Sequence, residues 1–168
     1  DSTTPVAVSG LSDVVAIDAG RWHTCAALAD GVSSLLGAPE GDDTEAMLDC
    51  LRVLGLEVER EGEVVSVFGG RALFKKGPLT LSARLAGTTS RFVTALAALG
   101  PGPYTIDGFG PLRTRPMAPL HEALASMGVD VRPLEASGHL PVRVQGPVDV
   151  TLDEVQLRGD VSSQYLTA

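Results

Sequence analysis

Residues 41–70, GDDTEAMLDCLRVLGLEVEREGEVVSVFGG, decide the fold. Met47, Leu48, Leu51 and Leu54 recur at helical spacing, and Asp42 or Asp43 can cap the helix they define. Gly55 stops it. Two short alternating runs follow, residues 56–59 and 64–68, and read as a hairpin. The same layout returns in residues 115–146, RPMAPLHEALASMGVDVRPLEASGHLPVRVQG. There Pro116 opens a helix with Leu120, Ala123, Leu124 and Met127 on one face, and Gly128 ends it. Strands are expected at residues 129–132 and 142–145. A helix, a glycine stop and a hairpin, twice over, form an internal repeat. Between the copies lie a glycine turn, a helix over about residues 88–99, a Gly-Pro-Gly-Pro break and a strand at residues 104–107. The class is therefore α+β, built from repeated helix–hairpin units.

The 168 residues suffice for one domain with a sizeable core or for two small repeated lobes. A net charge of −8 argues against nonspecific nucleic-acid binding, which needs a basic face. No apolar run reaches membrane-spanning length, and the first residues lack a signal-peptide layout. Cys25 and Cys50 read as two reduced, buried thiols of a cytoplasmic protein. His23, His121 and His139 stand singly without metal spacing, and His121 is expected on the surface of its helix. No P-loop or dinucleotide fingerprint occurs, so neither a metal nor a nucleotide cofactor is expected.

Three turns suit an anion. Gly87 precedes a helix whose first turn carries Thr88, Thr89 and Ser90, where free N–H groups and the helix dipole favour negative charge. The segment GDVSSQ, residues 159–164, repeats that arrangement with Ser162, Ser163 and Gln164. In GFGPLRTRPMAPL, residues 108–120, Arg113 and Arg115 stand at the mouth of the next helix, two apart in an extended segment and so on one side. Cations at a helix amino end oppose the dipole, a local conflict that an anionic ligand would resolve. Taken singly, each turn also reads as ordinary capping or as a surface pair.

In this order, LAGTTSRFVTALAALG, DGFGPLRTRPMAPLHEALASMGVDV, LPVRVQG and GDVSSQYLTA resemble the N-terminal part of the 3-phosphoshikimate 1-carboxyvinyltransferase (5-enolpyruvylshikimate-3-phosphate synthase) family. EGDDTEAMLDCLRVLG fits it too, and the resemblance runs from about Ala26 to Ala168. It implies part of one lobe of an inside-out α/β barrel with two lobes of three repeated units each. It implies transfer of an enolpyruvyl group from phosphoenolpyruvate to shikimate 3-phosphate, in a pathway inhibited by glyphosate and without a cofactor. Ser162, Ser163 and Gln164 match residues that hold shikimate 3-phosphate, and Arg21 one that holds its carboxylate. Gly87 and Arg115 match residues of the phosphoenolpyruvate pocket, with Arg91 and Asp43 in support. The family's Gly-Ser-Lys-Ser start is absent, its lysine and serine falling on Ala16 and Ile17. Together with Phe92, where many members carry a small residue or proline, this implies weakened glyphosate contacts. Residues 1–31 thus form an atypical segment, resembling one propeller blade, ahead of a partial lobe at residues 32–168. A partial lobe leaves an apolar face for self-association or for a complementing second lobe.

Overall fold

The computed structural model describes residues 14–20, 23–28 and 30–148. Strands β1 (Val14–Gly20) and β2 (His23–Leu28) pair antiparallel, and β3 (Asp30–Leu36) opens the first unit. Helix α1 (Asp42–Leu54) follows, then the antiparallel hairpin of β4 (Glu57–Glu61) and β5 (Val64–Gly70). Gly55 ends α1 in the left-handed conformation, at φ 110°, as expected of a glycine stop. The cap at the other end differs from expectation. Gly41 is the N-cap, and Asp42 and Asp43 both lie inside the first turn, where their charge complements the helix dipole.

The second unit begins with β6 (Leu79–Ser82), which pairs in parallel with β7 (Tyr104–Asp107) across the connecting helix α2 (Gly87–Ala97). A short helix α3 (Gly110–Arg113), helix α4 (Ala118–Ser126) and the antiparallel hairpin of β8 (Asp130–Pro133) and β9 (Val142–Gln145) complete it. Pro116 precedes α4 rather than opening it: Met117 is the N-cap, and Pro119 occupies the first turn.

The repeat extends beyond the sequence pattern. In the first sheet the order is β3-β5-β4, and in the second it is β6-β7-β9-β8. In each unit the strand before the helix pairs antiparallel with the second strand of the hairpin, β3 with β5 and β7 with β9. Alternation sets which face is buried: Val65 and Val67 of β5, Tyr104 and Ile106 of β7, and Val142 and Val144 of β9 all point inward.

Helices α1 and α2 pack against both the three-stranded and the four-stranded sheet and serve both cores, whereas Leu112 of α3 and Leu120 and Leu124 of α4 belong to the second core alone. Leu48 and Leu51 of α1 join Leu35, Val65 and Val67, whereas Met47, Cys50 and Leu54 join Leu81, Ile106 and Val142. Helix α2 does likewise: Val93 and Ala97 belong to the second core, and Leu96 packs against both. A helix apolar on both sides is buried on both sides. Among the described residues no helix is long and apolar enough to cross a membrane.

Candidate functional site

Helix α2 starts where parallel strand β6 ends, which puts its amino end at the carboxyl edge of the second sheet, beside the exit of β7. Ala86 is the N-cap and offers no side-chain acceptor, and no acidic residue stands in the first turn. The contrast with α1 is direct, since that helix carries Asp42, Asp43 and Glu45 in its own first turn. The positive end of the α2 dipole is therefore uncompensated by its own residues.

Two guanidiniums converge on that end. Were Gly87 given a Cβ, the nearest atoms would be Nη1 of Arg115 and, at 3.1 Å, Nη1 of Arg91. Arg91 is only 8% exposed, and its Nη1 donates to the Gly87 carbonyl at 3.1 Å. Arg115 is exposed, with no carboxylate partner among the described residues. Two cations beside a helix amino end repel it and one another. Chemically, the arrangement can hold a phosphate or carboxylate against backbone N–H groups and one arginine fork.

Two of the hydroxyls expected at this turn, those of Thr89 and Ser90, are spent on backbone carbonyls. Ser90 Oγ donates to the Gly87 carbonyl at 2.8 Å, and Thr94 Oγ1 to the Ser90 carbonyl at 2.6 Å. Thr89 Oγ1 donates to the Asp43 carbonyl at 3.1 Å, which ties the first turn of α1 to that of α2. Asp43 itself is exposed. Gly87, Arg91, Arg115 and the Asp43 backbone are thus brought together.

Arg113 leaves the pair that its spacing suggests. Its Nε and Nη2 form a fork on Asp107 at 2.9 and 2.7 Å, and Nη1 reaches Glu135 at 2.9 Å. The short helix α3 intervenes, so the segment is not extended and the two arginines diverge. Asp107 and Glu135 hold the Arg113 guanidinium firmly protonated, chiefly through the hydrogen bonds to Asp107. Arg21, Ser162, Ser163 and Gln164 lie outside the described residues.

His121 corrects a second expectation. It is buried, 7% exposed, because the loop between β8 and β9 folds over this face of α4; Met117 N–H donates to the Gly138 carbonyl at 2.7 Å. Burial, with the neighbouring His139 adding to it, pushes the imidazole down to about 4, and Nε2 has no hydrogen-bond partner among the described residues. His121 lines a shallow cleft of roughly 190 Å³ with Glu122, Val131, Ser137 and Gly138, and none of the residues around Gly87 takes part in it. Cys50 is a buried free thiol, pushed up to about 12 by burial, with Asp49 adding to the shift.

Sequence reasoning missed Arg84. It lies in the turn between β6 and α2 with its guanidinium on Asp42 and Asp49 of α1. No motif marks it, since its left-handed backbone, at φ 50°, is one that arginine rarely adopts.

A family model described as EPSP synthase (3-phosphoshikimate 1-carboxyvinyltransferase) matches residues 18–168, starting ahead of Ala26. The 3-phosphoshikimate 1-carboxyvinyltransferase of Rhizobium leguminosarum bv. trifolii is 40% identical over 145 residues, covering 85% of this chain and 34% of the relative. That of Burkholderia lata is 35% identical over 144 residues, covering 85% of this chain and 33% of the relative. The solved EPSP synthase of Acinetobacter baumannii superposes with a TM-score of 0.68 at 25% identity, over 84% of this chain and 32% of that one. The chain spans about a third of the length of the curated relatives it matches. With two repeated units of one lobe and a family match over most of its residues, the chain belongs to the EPSP synthase family.

Proposed function

We propose that this chain contributes to a site where the enolpyruvyl group of phosphoenolpyruvate passes to the 5-hydroxyl of shikimate 3-phosphate, with release of inorganic phosphate. The product leads to chorismate and the aromatic amino acids, and the setting is the cytoplasm. The observation that carries the reading is the convergence of Arg115 and Arg91 on the uncompensated amino end of α2 at Gly87. Phosphoenolpyruvate bears a phosphate and a carboxylate, and both are recognised by N–H groups and arginine forks. In this reading Gly87 and Arg115 bind phosphoenolpyruvate, with Arg91 bracing the turn and Asp43 anchoring it to α1. Ser162, Ser163 and Gln164 take shikimate 3-phosphate, and Arg21 its carboxylate. No metal or organic cofactor enters the scheme.

Turnover belongs to a completed two-lobed site, because enclosing both substrates away from water requires a second wall. The remaining wall comes from the part of the relatives' length that this chain does not span, from a complementing chain or from self-association. Alone, the chain acts as a half-site that binds and does not turn over. The deciding experiment is calorimetric titration with shikimate 3-phosphate and phosphoenolpyruvate, with shikimate as control. Phosphate-dependent heat supports the reading, and no heat with either phosphorylated ligand sinks it. Activity of the completed enzyme is expected to tolerate glyphosate, given Phe92 in α2 and the absent lysine; inhibition at the concentrations that stop sensitive relatives counts against tolerance.

A further inference from the structure

Arg84 is the one described non-glycine residue with a left-handed backbone. That conformation crowds a Cβ against the following peptide, so glycine is the residue expected there. Both ends of Arg84 explain what holds it. Its guanidinium reaches α1, with Nη1 3.2 Å from Asp42 and Nη2 2.6 Å from Asp49. Its carbonyl accepts the Phe109 N–H at 2.7 Å, an approach so close that a Cβ on Gly108 would stand 2.7 Å from the same oxygen. Alongside, Ala83 N–H donates to Asp107 and Ala86 N–H to Ala83, each at 2.8 Å, and the chain runs from that turn directly into Gly87. Phe109 is the N-cap of α3, the helix that leads to Arg115.

We propose that Arg84 is a positioning residue for the anion corner. Its backbone joins the limb carrying Gly87 to the limb carrying Arg115, and its side chain fixes both to α1. The ion pairs are too exposed to explain the strained backbone by stability alone: Asp42 is 92% and Asp49 48% exposed, and such pairs contribute little. What the arrangement secures is the meeting of two turns that arrive from different strands. This deepens the reading given above and rests on it for the identity of the ligand, a phosphorylated carboxylate.

The test uses the whole chain. Arg84→Gly removes the side chain and relieves the backbone. The expected result is an unfolding midpoint at or above that of the unaltered chain, faster amide exchange at Phe109, displaced NMR signals of Gly87 and Arg115, and phosphoenolpyruvate binding weakened roughly threefold to tenfold. The double variant Asp42→Ala/Asp49→Ala keeps the strained backbone and removes the acceptors that hold its side chain, and it is expected to weaken binding similarly while moving the midpoint little, as exposed pairs do. Gly87 and Arg115 signals that stay in place in Arg84→Gly overturn the proposal, whether or not the midpoint moves. If the unaltered chain binds no phosphoenolpyruvate, the proposed function fails by itself, and the Gly87 and Arg115 signals decide the positioning role independently.

Discussion

Arg115 holds a guanidinium nitrogen in the space that a Cβ on residue 87 would occupy, so only glycine at 87 lets that arginine meet the amino end of α2. The closest obstruction to a larger residue is the far end of the exposed Arg115, which can swing away; the buried Arg91, with Nη1 at 3.1 Å, has to give by only a few tenths of an ångström. The cost of substitution therefore falls on the site and not on the fold.

Gly87→Ala is accordingly expected to move the unfolding midpoint little, since the residue opens the helix and the added methyl asks only a small adjustment of Arg91. Phosphoenolpyruvate affinity is expected to fall about tenfold or more, the worth of one displaced charge-assisted hydrogen bond. Thermal melts and calorimetry on the same sample check both halves. Unchanged affinity would show that Arg115 takes no part in binding.

Arg113 and Arg115 lie two residues apart and have opposite expected roles. Arg113→Ala should lower the unfolding midpoint, because it unpins Asp107 at the end of β7 and Glu135 in the β8–β9 loop. Arg113→Lys should recover little, since lysine cannot reproduce the fork on Asp107. Arg115→Ala should spare the midpoint and weaken phosphoenolpyruvate binding about tenfold to a hundredfold. Equal midpoint losses in both alanine variants would refute this division.

His121 makes stability depend on acid. Its folded-state value is about 4 against an ordinary 6.5, so between those values the unfolded chain takes up a proton that the folded chain refuses. Its contribution is present in full above pH 6.5, declines as pH falls through the window and levels off below about 4. It amounts to at most about 3 kcal/mol. Urea unfolding between pH 7 and 4 should show that decline, flattened in His121→Gln. An identical pH profile in the variant would assign the decline to other groups.

Cys50 should be inert in the folded chain. A thiol pushed up to about 12 and buried against the Ser82 carbonyl presents almost no thiolate at pH 8. In a Cys25→Ala background, iodoacetamide should leave the native protein unmodified and label Cys50 rapidly in denaturant. Stoichiometric labelling of the native chain at pH 8 would contradict the burial.

How far each feature could be read from the sequence follows the range of the forces that make it. Helix α1, its Gly55 stop and the hairpin β4–β5 are local, governed by apolar periodicity and turn chemistry, and the same holds for α4, Gly128 and β8–β9. Those repeats determined the unit, and with the residues around Gly87 they determined the family. Strands β3 and β6 escaped because their partners are remote: Leu36 pairs with Val64, and Leu79 with Tyr104. Only the tertiary structure decided that Arg113 turns to Asp107 while Arg115 turns to Gly87, because α3 folds Arg113 back onto the end of β7 and Glu135 reaches it from the β8–β9 loop. It also decided that His121 is buried, since the loop covering α4 is contributed by residues beyond it in the chain. Periodicity marks the face of a helix that prefers burial, but what packs against the other faces depends on chain that folds back from elsewhere.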